Sequence, residues 1–325
     1  MPQAAMQTCV SSDLAADPLT LVWFKRDLRV TDHPALQSAA SGPGRVLPVY
    51  IIEPDYWRLP DMSGRHWGFI AECLRDLQAD LTRLGTPLAL RVGDAVETLE
   101  DLRQKFGFTQ MISHIETGNL WSFARDQRVA NWARAQGVVW SELPQSAVTR
   151  GIARANRWAD RRGRFVAEAV SPIPPMLRGV KLEPGTLPSA ASLGLVEGRP
   201  DTLQVGGRRQ AERVLEDFLQ RRGQPYRREM SSPLSAEMAC SRLSPYLAYG
   251  AITVREVVQA TARRQAELKG SRSGWLSSLS SFQSRLAWRD HFTQKLEDQP
   301  DIETKCLHPA YEGLRPEVPD PALFL

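Results

Sequence analysis

Five short apolar runs recur in the first 143 residues of the chain. Between them, apolar residues recur at helical spacing, as at Trp67, Ile70 and Leu74. Strands that are buried on both faces and alternate with helices indicate a parallel doubly wound sheet. We therefore expect an α/β domain over residues 19–148, preceded by a loose tail over residues 1–18. The branched and aromatic residues of the runs predict strands over 19–24, 45–52, 88–92, 110–115 and 138–143.

The pattern changes after this domain. Residues 149–205 are rich in Arg, Pro, Gly and Ser without a regular apolar period, which is typical of an extended interdomain linker. Helical spacing returns from residue 206 to residue 325. Ser244, which precedes a proline, predicts a helix N-cap, and Thr253 with Glu256 forms a capping box. The sequence thus predicts a second, all-helical domain.

The composition narrows the class of protein. The chain has 325 residues, of which 42% are hydrophobic and 24% are charged, as in ordinary soluble globular proteins. No apolar run approaches the ~20 residues that a membrane-spanning helix needs. The first residues also lack the basic start and apolar centre of a signal peptide. We therefore expect a cytoplasmic protein that has no membrane partner.

Cysteine spacing and net charge carry less information. Cys9, Cys73, Cys240 and Cys306 lie far apart, and the histidines also lack metal-ligand spacing, so we expect neither a metal site nor a disulfide framework. The net charge is +4, and only six of the 41 basic residues are Lys. Forked arginine donors suit a polyanionic partner, but biased codon usage explains the excess equally well.

Two short patterns combine groups that bind phosphate. The segment 241–245 has two serine hydroxyls and a guanidinium at a predicted helix start, where a dinucleotide diphosphate would fit. The same residues also make an ordinary helix start. In a helix predicted over about residues 277–297, Arg285, Trp288 and Arg289 lie at positions i, i+3 and i+4. Such a cluster suits a groove that binds phosphates and stacks an extruded base, or else forms a solvated helix face.

Two further arginine-rich segments are less specific. Arg26, Asp27 and Arg29 follow the first strand, where a doubly wound sheet places ligand-facing loops, although a surface ion cluster has the same composition. Neither a dinucleotide-binding glycine motif nor a P-loop follows that strand. The arginines between residues 150 and 164 are more typical of a solvated linker than of a DNA contact.

Four blocks of sequence are specific enough to compare with known families. They are LTLVWFKRDLRVTDHPAL at 19–36, ETGN at 116–119 with Arg125 and Asp126 after it, MSSPLSAEMACSRLSPYLAYG at 230–250, and SRLAWRDHF at 284–292. Together they resemble the cryptochrome/photolyase family. The resemblance extends from residue 19 to about residue 315.

The resemblance implies a five-stranded α/β domain that a long linker joins to an all-helical domain, which binds FAD. It also implies that Trp288 stacks against a damaged pyrimidine extruded from DNA, with Arg285 and Arg289 nearby. In photolyases of this type, light-excited reduced flavin passes an electron to a cyclobutane pyrimidine dimer, whose ring then splits. By position, the residues that would contact FAD are Tyr226, Cys240, Ser241, Arg242, Leu243, Ser244 and Phe282.

Departures from the family pattern keep other functions open. Arg285 stands where the family usually has an acid or an amide, and a guanidinium cannot accept a hydrogen bond. This substitution favours the alternative of a cryptochrome-type photoreceptor, which binds FAD and signals to a protein partner without repairing DNA. Cys240 stands where Thr or Ser is common. An antenna chromophore, a folate or another, would lie near Glu116.

The end of the sequence is apolar and has no cap. Ala322 to Leu325 read ALFL, and the family continues with residues that contact the flavin and with a tryptophan chain that reduces it. We therefore expect a truncated chain, whose helical FAD-binding domain over residues 206–325 is incomplete. A third alternative is an inactive remnant in which only the α/β domain folds.

Overall fold

The computed structural model describes residues 17–150, 158–196 and 203–314, together with Val318 and Ala322. Of the predicted loose tail, residues 1–16 therefore lie outside the described residues. Arg154, Arg157, Phe324 and Leu325 lie outside them as well. The first part is a sheet of five parallel strands in the order β3-β2-β1-β4-β5. This confirms the predicted doubly wound sheet. The strands are β1 Leu19–Phe24, β2 Arg45–Ile52, β3 Ala89–Val92, β4 Gln110–His114 and β5 Val139–Leu143.

Helices connect consecutive strands, as right-handed parallel crossovers require. Local signals set their ends. The Asp94 carboxylate accepts the backbone N–H groups of Val96 and Glu97 at the start of one helix, and Gly107 ends that helix in the left-handed conformation with φ 69°. The helices are α1 Pro34–Ser41, α2 Pro54–Trp57, α3 Gly64–Arg83, α4 Ala95–Phe106 and α5 Leu120–Ala135.

The segment predicted as a linker contains one helix, α6 Trp158–Ala167, and then extends along the α/β part. The carbonyl of Arg178 accepts the Val46 N–H at 2.8 Å, and the carbonyl of Pro184 accepts the Leu90 N–H at 2.6 Å. Gly179 allows this close approach, since a Cβ there would lie 2.5 Å from the Thr86 hydroxyl. The segment therefore covers the β3 edge of the sheet, which would otherwise expose unpaired backbone groups.

The remaining described residues are mostly helical, as predicted. The capping box of Thr253 and Glu256 is present at the start of the fifth of these helices. Trp275 and Phe282 bury one face of the last and longest helix. Within the described ranges, no helix is both long enough and apolar enough to cross a membrane. The further helices are α7 Arg208–Asp217, α8 Tyr226–Glu229, α9 Ala236–Ala239, α10 Ser244–Ala248, α11 Val254–Glu267 and α12 Trp275–Asp298.

Buried polar contacts join the two parts. Asp32, which follows β1 and has a φ of 49°, accepts hydrogen bonds from the Arg255 guanidinium and the Thr253 hydroxyl, both at 2.8 Å. Arg29 donates to the carbonyl of Gly250 at 2.9 Å. Because an unpaired charge in this position would be costly, these contacts fix how α11 meets the sheet. One of two apolar clusters of the described residues continues from the sheet to Phe282 in α12, and the other lies within the α/β part.

Candidate functional site

The predicted flavin residues come from three separate elements that pack together. Tyr226 begins α8, Phe282 lies in the middle of α12, and both side chains are buried. Their ring centroids are 5.8 Å apart, and Phe218 contacts both rings at 5.6 and 4.7 Å. Edge-to-face and tilted contacts of this kind stabilise an aromatic cluster beyond the burial of its area. The cluster anchors α8 against α12.

The turn between α9 and α10 supplies the polar residues of the predicted phosphate segment. Arg242 has a φ of 60°, in the left-handed region that non-glycine residues rarely adopt. The Leu243 side chain is buried, and its backbone N–H donates to the Ser241 hydroxyl at 3.4 Å. Burial raises the pKa of the adjacent Cys240 thiol, which therefore stays protonated at neutral pH. The turn thus presents Ser241 and Arg242 at the protein surface.

Ser244 does not occupy the position that its sequence context predicts. The N-cap of α10 is Leu243, whose side chain caps nothing, and Ser244 is the first helical residue. The residue at the first position of a helix cannot accept the N–H groups that an N-cap side chain reaches. Its side chain is exposed on the same short turn as Ser241 and Arg242. The hydroxyl is therefore exposed and does not cap the helix.

The structure separates the three residues of the predicted base-stacking cluster. Trp288 is 55% exposed, and the Arg285 guanidinium lies over its ring at 4.3 Å from the centroid. Arg289 points the other way, where it donates to the Leu247 carbonyl at 3.0 Å and to Asp290 at 3.3 Å. Arg285 and Trp288 therefore form a cation–π pair on the surface of α12, while Arg289 belongs to the interior between the two parts.

That interior contains a cleft of about 210 Å³ between the sheet and the helices. Arg26 and Glu116 line it from the carboxyl ends of β1 and β4, and Arg289 and Thr293 line it from α12. The order of the strands reverses between β1 and β4, which is where doubly wound sheets bind ligands. The position of Arg26 after the first strand was the one sequence signal for this cleft.

A buried ion network surrounds the same edge of the sheet. The Arg125 guanidinium contacts Glu53 at 3.0 Å, Glu116 at 2.6 Å and Asp126 at 2.8 Å. Burial raises the pKa of Glu53 to about 7, although Arg125 opposes the shift. Burial also disfavours the charge of Glu116, but Arg125 and Arg26 outweigh it and lower the pKa of that carboxyl to about 2. Glu116 is therefore an anion already bound by two guanidinium groups.

Asp27, His33 and His114 form a group whose ligand atoms lie within 4.8 Å of one another, as in a metal centre. Hydrogen bonding argues against that use. His33 Nδ1 accepts the Leu36 N–H at 2.9 Å, so the ring proton is on Nε2, which lies 3.0 Å from an Asp27 carboxylate oxygen. His114 Nδ1 lies 2.7 Å from the same oxygen. A nitrogen that carries a proton cannot bind a metal, so we interpret the group as a buried carboxylate flanked by two imidazole rings.

Comparisons with known proteins agree with this architecture. Residues 20–152 match the DNA photolyase family model. The deoxyribodipyrimidine photo-lyase of Streptomyces griseus is 26% identical over 308 residues, which cover 91% of this chain and 65% of that protein. A bacterial class III photolyase from Agrobacterium tumefaciens has a TM-score of 0.77 at 24% identity, over 95% of this chain and 64% of that one. An archaeal photolyase from Sulfolobus tokodaii, solved with two FAD molecules, has a TM-score of 0.70 at 20% identity, over 92% and 64%.

The α/β sheet, the helical part and these matches define a photolyase-like protein. The chain is similar to members of the cryptochrome/photolyase family, in line with the resemblance of its four sequence blocks. Three photolyases match along most of this chain, and the chain spans less than two thirds of the length of each.

Sequence reasoning missed two features of the site. The members of the buried ion network lie after β1, before α2, in α5 and in the loop after β4, and nothing in the spacing of Glu53 and Arg125 connects them. The inward orientation of Arg289 was also missed, although the adjacent Asp290 provided a signal. The Asp290 carboxylate is 1% exposed and contacts both Arg289 and Arg162, while the Arg289 side chain is 35% exposed.

Proposed function

We propose that the chain binds FAD along the surface formed by α8, the 240–244 turn and α12, and acts with it in the light-driven repair of cyclobutane pyrimidine dimers in DNA. The observation that carries the proposal is the convergence of residues far apart in sequence. Tyr226 of α8 packs against Phe282 of α12, with ring centroids 5.8 Å apart, and the Arg285–Trp288 pair begins three residues further along α12. Phe218 contacts both rings, and Arg222, four residues after it, donates to the Cys240 carbonyl of the turn.

The residues present fit the diphosphate of FAD. Ser241 and Ser244 offer hydroxyl donors, and Arg242 adds a guanidinium whose one acidic contact, with Glu237 at 3.4 Å, is solvent-exposed. Charged hydrogen bonds from such donors favour a phosphate over water. Tyr226 and Phe282 are the buried aromatic residues of the proposed site. When bound and reduced, FAD supplies a light-excited electron donor.

The chain's own residues would position the DNA. Trp288 exposes more than half of its side chain, which suits the stacking of an unpaired base. Arg285 provides a cation at the face of that ring for the phosphate backbone. An enzyme with this activity would be a carbon–carbon lyase, with damaged DNA as its partner.

The Arg285–Trp288 contact also supports a second candidate function. The guanidinium covers the indole face on which an extruded base would stack, at 4.3 Å from its centroid. A cryptochrome-type photoreceptor, which binds FAD without accepting a lesion, needs no open stacking face. A protein partner would then replace DNA.

An antenna chromophore would enter from the carboxyl edge of the sheet. The cleft of about 210 Å³ is the larger of the two sites there, since the pocket beside Glu53 and Trp57 has only about 40 Å³. Both sites include Glu116, whose carboxylate already accepts from Arg26 and Arg125. A folate or flavin antenna would therefore have to bind in the cleft, or displace Arg26 to reach the smaller pocket.

Light-dependent loss of thymine dimers from an oligonucleotide tests the repair proposal. We expect FAD-loaded protein to remove dimers under illumination only. Trp288→Ala should weaken binding of dimer-containing DNA by ~1–3 kcal/mol, as for one stacked base, without changing thermal stability. Phe292→Ala is a matched control, since Phe292 is 58% exposed on the same helix. Stoichiometric flavin with no repair would instead favour the photoreceptor, and equal affinities of both variants would remove Trp288 from the site.

A further inference from the structure

The end of α7 departs from the straight helix that its apolar spacing predicts. Residues 218–222 form a π turn, in which the Gly223 N–H donates to the Phe218 carbonyl at 2.8 Å. A Cβ on residue 223 would lie 2.6 Å from that carbonyl oxygen and 2.9 Å from the Phe218 ring, so only glycine fits. Single π turns inside helices are often found at functional sites because they redirect the side chains after them.

The π turn directs Arg222 toward the turn between α9 and α10. The guanidinium donates to the Cys240 carbonyl at 2.5 Å and to the Ser241 carbonyl at 3.4 Å, and it also pairs with Asp217. Its side chain is only 18% exposed. Arg222 therefore holds two consecutive carbonyls of a segment that lies 18 and 19 residues further along the chain.

A third carbonyl of the same segment is held in a similar way. The Gln204 side-chain amide donates to the carbonyl of Arg242. In a trans peptide the carbonyl and the following N–H point in opposite directions. The N–H groups of Ser241, Arg242 and Leu243 therefore point away from the groups that bind these carbonyls. Arg242 has a left-handed backbone conformation, which costs free energy in a non-glycine residue. The segment therefore needs such external hydrogen bonds to keep its conformation.

We propose that Arg222 is a positioning residue for the FAD diphosphate. It contacts no ligand itself, but it holds residues 240–242 in the conformation that presents Ser241 and Arg242 to the phosphates. The inference rests on the proposed function, because it assigns Arg222 a role at the same flavin site. It also makes a claim about the protein without flavin, namely that the conformation of the segment depends on Arg222.

The neighbouring Arg221 provides a matched control. Arg221 also pairs with Asp217, at 2.6 Å, but its side chain is 78% exposed. Arg221→Met and Arg222→Met remove the same charge and the same number of atoms from adjacent positions. Arg222→Lys keeps the charge but loses the planar fork that binds two carbonyls at once.

Two measurements on the full chain test the proposal. Hydrogen exchange is followed by mass spectrometry on peptides that cover residues 240–248, without flavin. FAD affinity is then measured by fluorescence titration, at a temperature at which circular dichroism shows every variant to be folded. We expect Arg222→Met to accelerate exchange in these peptides and to weaken FAD binding about tenfold, as for a lost charged hydrogen bond. Arg222→Lys should fall between, and Arg221→Met should change neither quantity more than twofold.

The outcomes separate this inference from the proposed function. If the unsubstituted chain binds no FAD, the proposed flavin site fails and Arg222 has no cofactor to position. If that chain binds FAD and Arg222→Met binds it equally well, the inference is wrong while the flavin site stands. Faster exchange with unchanged FAD affinity would reduce Arg222 to a structural residue, which also contradicts the proposal.

Discussion

The two parts of the molecule hold their charged residues in different ways. In the α/β part, the Arg125 side chain is 8% exposed and contacts three carboxylates, each within 3.0 Å. In the helical part, Arg285 stacks on an exposed indole, and Arg242 has one acidic contact, with a largely exposed partner. Buried charges must be paired, whereas exposed guanidinium groups stay available to an anionic ligand. The arginine network of the α/β part therefore stabilises the fold, whereas Arg242 and Arg285 of the helical part stay accessible to a ligand.

Removal of Arg125 should produce the largest effect on stability. Arg125→Ala leaves Glu53, Glu116 and Asp126 buried without their guanidinium, which should lower the free energy of unfolding by ~3–5 kcal/mol. Urea denaturation measures the change. Arg128→Ala is the control, because Arg128 is half exposed and its pair with Asp94 should contribute under ~1 kcal/mol. Similar costs for both variants would mean that the buried network does not distinguish the α/β part.

The pH dependence of the same network should give the next largest effect. Burial raises the pKa of Glu53 to about 7, so between the ordinary value of 4.5 and about 7 the folded state keeps a proton that the unfolded chain has lost. Stability from this group therefore falls as the pH rises through that window, by up to about 3 kcal/mol at ~1.4 kcal/mol per pKa unit.

Glu53→Gln removes this contribution because the amide does not ionise. We expect the stability of the variant, relative to the unsubstituted chain, to rise between pH 5 and pH 8 in parallel urea titrations. The comparison cancels the opposite contribution of His33 and His114, whose pKa values are lowered by burial in both proteins. A stability difference that does not change with pH would show that Glu53 is ionised throughout.

Ser244 should show the smallest effect on stability. An N-cap serine would cost about 0.5–2 kcal/mol on truncation to Ala, but Ser244 is exposed at the first helical position, so Ser244→Ala should cost less than ~0.5 kcal/mol. Its FAD affinity should nevertheless fall several-fold. Thermal denaturation and flavin titration of the same samples check both expectations. A large loss of stability in Ser244→Ala would show that Ser244 caps the helix after all.

The α/β part could be predicted from the sequence almost residue by residue. β1 and β2 are nearly continuous apolar runs because both faces of the central strands are covered, and both strands have the predicted bounds. The capping box at Thr253 was equally readable, because its signal is local. Local signals failed where tertiary contacts decide the structure. The π turn before Gly223 and the carbonyl contacts of Arg222 depend on residues far away in sequence.

The same limit applies to the candidate site. Tyr226, Cys240, Arg242 and Phe282 were assigned by resemblance to a family, and their role at a flavin site stays a prediction. The structure shows that Tyr226 and Phe282, 56 residues apart in sequence, pack against each other. Arg289 was assigned to the lesion pocket with Trp288, yet the structure directs it into the cleft. Helical spacing alone places both on neighbouring faces, and only the acceptors at Leu247 and Asp290 determine which way the guanidinium points.

The flavin-to-protein ratio of the purified chain tests the central claim most directly. FAD is added, unbound flavin is removed by gel filtration, and the absorption spectrum gives the ratio. We expect a ratio close to one, with a flavin spectrum that Arg242→Ala reduces and Arg128→Ala leaves unchanged. A colourless protein, folded by circular dichroism, would contradict the account, because residues 226–289 would then not be sufficient to hold the cofactor.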